Sequence, residues 1–190
     1  MTVTLHSPPC GQRSALLLRP WTEEDIPDLI DVYRDLGLRR GTRAPVTSDE
    51  DARRWLGVQQ RGWITGERLS FAVLEWEPAV GGHRLAANVV LKGRAAGMPS
   101  AEVGYWTAAR ARGRGIAAGA LEALTDWAFG SFSSDGLHRL ELLHQVNNHA
   151  SCRVAQKCGY DLEAVVPAKP PTYPNDGHLH IRDSLARRIS

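Results

Sequence analysis

The stretch "EVGYWTAARARGRGIAAGALEALTDWAF", residues 102–129, decides the fold. It opens with an alternation of residue types that favours a strand, passes through the turn "RARGRG" at residues 110–115, and closes with apolar residues at helical spacing. A strand, a glycine-containing turn and a helix bring several backbone N–H groups to a helix N-terminus, where they bind anions well. The stretch therefore predicts a phosphate site.

The surrounding sequence narrows the kind of phosphate. Gly113, Gly115 and Ala118 match the loose dinucleotide pattern GxGxxG/A, but that pattern also expects an acidic residue about 20 positions later, at the end of a second parallel strand. Asp135 has this spacing but lies in a Ser/Gly turn, and no Gly-Lys-Ser/Thr of an ATP-type loop is present. A basic RNA tag would be disordered and interleaved with aromatic residues. All three interpretations are disfavoured.

Composition limits the class of protein. The chain has 190 residues, of which 43% are hydrophobic and 23% charged, so one globular domain over residues 15–190 is expected after a loose leader at 1–14. A net charge of +2 provides no general attraction to nucleic acid or an anionic membrane. The three cysteines, without CxxC spacing, favour the reducing cytoplasm, and no secretion signal or membrane-spanning run is visible.

The pattern of apolar residues predicts an α/β protein with a mixed, mostly antiparallel sheet. Seven strands and about four helices are expected, and "LGLRRGTRAPVT" at residues 36–47 is expected to be a loop between the first two helices. The predicted strands begin with "ALLLRP", followed by residues 69–76, 83–92 and 101–108, then "HRLELLHQV", "DLEAVV" and "HLHIRDSLAR".

The turn also resembles a known family. Arg110, Gly113 and Gly115 match the Q/R-x-x-G-x-G/A motif of the GCN5-related N-acetyltransferases (GNAT). The segments "LLLRPWTEEDIPDL", "AEVGYW" and "NNHASCRVAQKCGY" look like the RimJ/RimL-like ribosomal-protein alanine acetyltransferase branch. The resemblance implies a GNAT fold with a splayed gap between strands 4 and 5, an N-acetyltransferase activity, acetyl-CoA as cosubstrate and no metal.

In this family, the gap takes the pantetheine arm of CoA and the glycine turn holds its pyrophosphate. Carried over, the backbone of residues 105–107 would pair with pantetheine, and the N–H groups of residues 112–117 would hold the pyrophosphate. The three arginine side chains of the turn either contact the 3'-phosphate or are solvated. The implied cofactor-binding residues are Tyr105, Trp106, Thr107, Arg110, Arg112, Gly113, Arg114, Gly115, Ile116, Ala117 and Asn148.

Acetyl transfer to an amine needs a base and a proton for the CoA thiolate. The resemblance suggests Glu102 as the base, although a structural carboxylate fits equally well, and His144 is a minor alternative. The tyrosine that usually protonates the thiol is replaced by Ala155, so the resemblance assigns this role to Ser151. Asn148 would bind CoA or a water, cap the helix, or do both.

Two further groups of residues are given structural interpretations. Cys152 follows Ser151 but is rotated by about 100° from it on a helix, so it is expected to be a small buried hydrophobe rather than a nucleophile. His178 and His180 share a strand face, but no cysteine or carboxylate is seen to complete a metal site. We therefore expect no metal.

The acceptor is expected to contact the two most irregular segments, through Arg39, Arg40 and Arg43 in one and Tyr173 in the other. A protein N-terminus, an antibiotic amine and a polyamine remain open, and the arginines argue mildly against cationic acceptors. The alternatives are a succinyl-CoA or other acyl-CoA transferase and a non-catalytic CoA-binding module. We expect no nucleic-acid or membrane partner and leave a homodimer open.

Overall fold

The computed structural model describes residues 3–11, 13–41, 46–95, 97–170 and 174–184, apart from the side chains of residues 40, 41 and 80. Among these residues, no helix is long and apolar enough to span a bilayer.

One mixed sheet of eight strands runs through the described residues, in the order β1-β2-β3-β4-β5-β6-β8-β7. The pairs are antiparallel except for β5 and β6, which run parallel. The strands are β1 (Leu5–Ser7), β2 (Leu16–Pro20), β3 (Arg68–Glu77), β4 (Gly82–Lys92), β5 (Ser100–Thr107), β6 (Arg139–Gln145), β7 (Asp161–Val166) and β8 (Gly177–Asp183).

Five α-helices accompany the sheet in the described residues. They are α1 (Ile26–Val32), α2 (Leu36–Gly41), α3 (Asp49–Thr65), α4 (Ile116–Phe132) and α5 (His149–Lys157). Helix α3 packs on β3 and α1, and α4 crosses β1, β2, β4 and β5. The α/β class and the mixed sheet are as predicted from the sequence.

Two details of the prediction are wrong. Residues 5–7, expected within a loose leader, form β1 and pair with β2, so the sheet has eight strands rather than seven. Residues 36–41, expected to be loop, form α2, so there are five helices rather than about four. Both elements are short, and their neighbours in the fold stabilise them more than their own sequence does.

Local sequence explains the longer helices. Ser48 caps α3 by accepting a hydrogen bond from the Asp51 N–H at 3.1 Å, and three acidic residues occupy the first turn. The helix ends at Gly66, whose φ of +76° lies in the left-handed region that glycine favours. Helix α4 carries an apolar stripe that includes Ile116, Leu121 and Leu124, all buried against the sheet.

The sheet opens between β5 and β6. These strands pair only from Ser100 opposite Arg139 to Val103 opposite Leu142. Strand β5 then continues to Thr107 while paired with β4, and β6 continues to Gln145 while paired with β8. Among the described residues, no strand pairs with the β6-facing edge of residues 104–107. The expected gap therefore lies between β5 and β6, one strand later in the count because of β1.

Candidate active site

The glycine turn joins the open end of β5 to α4. After Thr107 the chain makes a 3₁₀ turn at Ala109–Ala111, and α4 begins at Ile116 with Gly115 at the N-cap. Gly113 and Gly115 have φ of +75° and +80°, values that only glycine adopts readily. The first turn of α4 contains no acidic residue, and a Cβ at Gly113 would meet nothing within 4 Å. The first N–H groups of α4 have no partner within the helix, and the turn at Gly113 borders open space.

Two arginines of the turn make internal contacts. The Arg110 guanidinium donates to the carbonyl of Leu85 on β4, and partial burial lowers the pKa of Arg110. Arg112 forms an ion pair with Asp35, just before α2, and its Nε donates to the Thr107 carbonyl at 3.3 Å. Both side chains therefore brace the turn against the rest of the fold.

The third arginine does the same on β3. Arg114 pairs with the carboxylate of Glu75, whose side chain is 9% exposed. The sequence left the arginines either on a phosphate or in solvent, whereas in the structure all three bind groups of the protein itself. An anion at this turn would therefore meet chiefly backbone N–H groups.

A further arginine at this helix end was missed in the sequence. Arg13 is 7% exposed, and its guanidinium lies against Gly119, where a Cβ would come within 2.5 Å of Arg13 Cζ. One of its nitrogens donates to the Pro8 carbonyl at 2.8 Å, while Nη1 is buried with no hydrogen-bond partner. Only Gly119, a small residue inside a helix, could have pointed to such a close neighbour.

The last residues of β5 send their side chains alternately to the two faces of the sheet. The Tyr105 hydroxyl is buried, and burial raises the pKa of Tyr105 to about 12 against a smaller opposing effect of nearby Ser151. That hydroxyl has no hydrogen bond of good geometry. The Trp106 ring instead packs against Tyr33 and Trp21, with ring centroids 6.1 and 6.0 Å apart. The two residues thus form different walls beside the gap.

Glu102 lies in the last paired part of β5 before the gap. Its carboxylate forms an ion pair with Lys92 of β4 at 2.6 Å, and its side chain is 41% exposed. By strand alternation, Glu102 shares the face of Trp106 and not that of Tyr105. The carboxylate is therefore accessible but already paired.

Helix α5 supplies the two remaining candidates. Asn148 is its N-cap, and its side-chain oxygen accepts from the Ser151 N–H at 3.1 Å. Ser151 is 8% exposed and neighbours the Tyr105 hydroxyl, and Ala155 is fully buried. The structure thus brings Ser151 and Tyr105 together on one face of the sheet and leaves Glu102 on the other, with the gap between them.

The sequence offered no cysteine partner for His178 and His180, whereas the structure brings one to them. His144 and Cys152 join them, and one ligand atom from each of the four residues lies within 4.8 Å of all the others. Burial lowers the pKa of His144, aided by the neighbouring histidines. The sequence could not reveal this group, because it combines β6, α5 and β8.

The predicted acceptor residues are only partly described. Arg39 Nε donates to the Tyr33 carbonyl at 2.6 Å, at the end of α1. Residue 40 is described by its backbone alone, and Arg43 and Tyr173 lie outside the described residues. Contact of these residues with an acceptor remains a prediction.

Comparison with known proteins agrees with this geometry. The family model of the acetyltransferase (GNAT) domain matches residues 15–161. No curated protein sequence matches the chain.

Solved structures that share the fold include three acetyltransferases. Mycobacterium smegmatis RimJ, in complex with CoA-disulfide, is 19% identical with a TM-score of 0.77, covering 96% of this chain and 87% of its own. RimL, the ribosomal L7/L12 alpha-N-protein acetyltransferase, in complex with coenzyme A, is 21% identical with a TM-score of 0.77, covering 94% and 97%. The microcin C7 self-immunity acetyltransferase MccE, in complex with acetyl-CoA and AMP, is 17% identical with a TM-score of 0.76, covering 89% and 92%.

The family match covers most of the chain, and the glycine turn beside the open edge of β5 is where the family motif is expected. The chain therefore belongs to the GNAT acetyltransferase family, as an N-acetyltransferase with acetyl-CoA as its cosubstrate.

Proposed function

We propose that the enzyme transfers the acetyl group of acetyl-CoA directly to a primary amine within a ternary complex. The separation of β5 and β6 beyond Val103, next to the free N–H groups at the start of α4, carries this proposal. Pantetheine pairs with the open backbone edge of residues 105–107, and the pyrophosphate lies at the N–H groups of residues 112–117. The thioester is then held in the gap.

Glu102 removes the amine proton, directly or through a water. Its ion pair with Lys92 holds the carboxylate at the edge of the gap. Because the side chain is 41% exposed, an incoming amine or water can reach it without unfolding the strand. A Glu102 buried in its ion pair would have favoured a non-catalytic CoA-binding module, and this exposure argues against that alternative.

Ser151 protonates the departing thiolate. The N–C bond forms as the C–S bond breaks, and one proton passes overall from the amine to the CoA sulfur. The neighbouring Tyr105, whose pKa is raised to about 12, keeps its proton at neutral pH and donates a hydrogen bond to Ser151 as that hydroxyl gives up its proton. Solvent water then returns a proton to Ser151 and takes the one held by Glu102, which restores both groups. Asn148 positions Ser151 by capping α5.

The acceptor we favour is the α-amino group of a peptide or protein. Such a group has a pKa near 8, against about 10.4 for lysine, so a carboxylate shared with Lys92 suffices as its base. The RimL structure is that of an alpha-N-protein acetyltransferase, which supports the same acceptor class. A small-molecule amine is the second candidate, since MccE is a microcin C7 self-immunity acetyltransferase. We further propose that the chain acts in the cytoplasm as a single catalytic domain, which includes β1 as well as the residues from 15 onward.

A direct test follows CoA thiol release with acetyl-CoA or succinyl-CoA against several acceptors. These are peptides with free N-termini, N-acetylated peptides containing lysine, an aminoglycoside and a polyamine. We expect turnover with acetyl-CoA and free N-termini only. CoA binding without turnover on any acceptor would overturn the proposal, and preference for succinyl-CoA would favour the alternative donor.

The role of Glu102 is tested by the pH profile of kcat/KM. Glu102→Gln should flatten the profile and lower kcat/KM by roughly 100-fold, within the usual range for removing a general base. Glu163→Gln, which alters an exposed carboxylate on β7, is the matched control. An unchanged profile in Glu102→Gln would remove Glu102 from the mechanism.

A further inference from the structure

The four residues grouped beside α5 come from three elements. His144 is on β6, Cys152 is on α5, and His178 and His180 are on β8. The register places His144 opposite His178, so two of the imidazoles are cross-strand neighbours. The three rings have centroids 5.2 to 6.1 Å apart, and Cys152 Sγ lies 3.2 Å from His178 Nδ1.

Two of these imidazoles have the arrangement of metal ligands. His144 Nδ1 lies 2.9 Å from the Gln145 carbonyl, and His180 Nδ1 lies 3.3 Å from the Tyr160 carbonyl. A carbonyl only accepts hydrogen bonds, so Nδ1 must carry a proton, and Nε2 of the neutral ring then has the lone pair. Donation of one ring N–H to a carbonyl is the usual support for a histidine that binds metal through its other nitrogen.

The lone pairs so directed have no protein partner. His144 Nε2 and His180 Nε2 are both buried and make no hydrogen bond. The whole His180 residue is only 2% exposed, so water has little access to it. A buried polar atom left unpaired costs about 1–3 kcal/mol, so two in one place call for a ligand that satisfies both. A metal cation, which accepts lone pairs, would satisfy both Nε2 atoms at once.

We propose that His144, Cys152, His178 and His180 bind one Zn²⁺ ion in a tetrahedral site. Histidine nitrogen and cysteine thiolate are both ligands that Zn²⁺ prefers, and four of them complete a tetrahedral site. Bonds of about 2.0–2.3 Å give a tetrahedron with edges of about 3.3–3.8 Å. The largest ligand separation is at most 4.8 Å, so small side-chain rotations close the site. His144, Cys152 and His178 are partly exposed, which leaves an entry path for the ion.

The ion would join α5 to β6 and β8. It would hold the helix that carries Asn148 and Ser151 against the far side of the gap, and it would protect the Cys152 thiol from oxidation by coordinating it. Acetyl transfer as proposed above uses no metal, so this proposal is independent of the acceptor and of the catalytic roles.

The test measures metal binding alone, without acetyl-CoA. Protein stripped with a chelator and then given ZnCl₂ should retain one zinc per chain after desalting and should unfold at a higher temperature. The Co²⁺ form should show intense visible bands of a tetrahedral site and a sulfur-to-cobalt charge-transfer band. Cys152→Ala should abolish the charge-transfer band, and His178→Gln should weaken zinc binding by at least about 100-fold.

Two controls separate this site from casual binding. Cys10→Ala and His149→Gln alter an exposed cysteine and an exposed histidine outside the group and should leave zinc binding unchanged. Circular dichroism verifies that each variant is folded. Absence of stoichiometric zinc in the folded wild type, or equal binding by Cys152→Ala and His178→Gln, would overturn the proposal whether or not the enzyme acetylates any amine.

Discussion

The glycine turn provides the sharpest test of the proposed CoA site, through Gly113→Ala. Gly113 has φ of +75°, and a Cβ there would meet nothing within 4 Å, so the substitution causes backbone strain but no clash within the protein. Left-handed backbone costs a non-glycine residue about 1–2 kcal/mol. At about 2–4 °C per kcal/mol for a chain of this size, the melting temperature should fall by about 2–8 °C.

The effect on CoA binding has a different cause. Strain is present with and without CoA and so does not alter affinity, whereas the new methyl group enters the space proposed for the pyrophosphate. Loss of one hydrogen bond to a charged group costs about 1.5–3 kcal/mol. The dissociation constant for CoA, measured by calorimetry, should therefore rise roughly 10- to 150-fold.

Gly97→Ala is the matched control. Gly97 has φ of +77°, and a Cβ there likewise meets nothing within 4 Å, but it lies between β4 and β5 at the opposite end of β5 from the turn. The control should lose similar stability and bind CoA like the wild type. Equal CoA affinity in the two variants would refute the argument that the backbone of this turn holds the pyrophosphate.

Three other substitutions test the packing and the site. Asn148→Ala removes the cap of α5 and should lower the free energy of unfolding in urea by about 1 kcal/mol while lowering turnover. Ser48→Ala removes the cap of α3 and should cost similar stability while leaving turnover intact. Equal loss of turnover in the two variants would contradict a specific role of Asn148 in the reaction. The pKa of Tyr105 is about 12 against an ordinary value of 10.0, so the folded state keeps a proton that the unfolded chain loses. The stability from this group is therefore complete below pH 10 and declines between pH 10 and 12, by about 1.4 kcal/mol at pH 11. Tyr105→Phe should remove this part of the alkaline decline, and an identical decline would count against the burial of the phenol. Gly62→Ala places a Cβ within 2.4 Å of the Arg68 carbonyl oxygen and should lower the free energy of unfolding by about 1–3 kcal/mol. A gain in stability would instead show that the backbone of β3 shifts away from the new Cβ at little cost.

The predicted turn, caps and strands came from local patterns. Gly113 and Gly115 both adopt positive φ, and Asn148 caps its helix, because such preferences depend on a few neighbouring residues. The short elements β1 and α2 were missed because they depend on contacts with distant parts of the chain. A strand of three residues is too short to show an alternating pattern, and β1 forms because it pairs with β2.

The candidate site likewise has features that local sequence predicts and contacts that it does not. The glycine turn was predictable because it follows from one contiguous stretch, and the gap beside β5 was implied by the family resemblance. The partners of its side chains were not, because Arg112 meets Asp35 and Arg114 meets Glu75 only after the chain has folded. Ser151 was predicted, but its neighbour Tyr105 was expected to contribute only backbone.

The sequence by itself determined where the glycine turn lies and which family the chain resembles, because backbone conformation and periodicity are local properties. Tertiary structure alone decided what the arginines bind, which faces Glu102 and Ser151 occupy, and that three histidines meet Cys152. Those contacts join residues distant in the chain, and long-range packing and strand register, not spacing, bring them together.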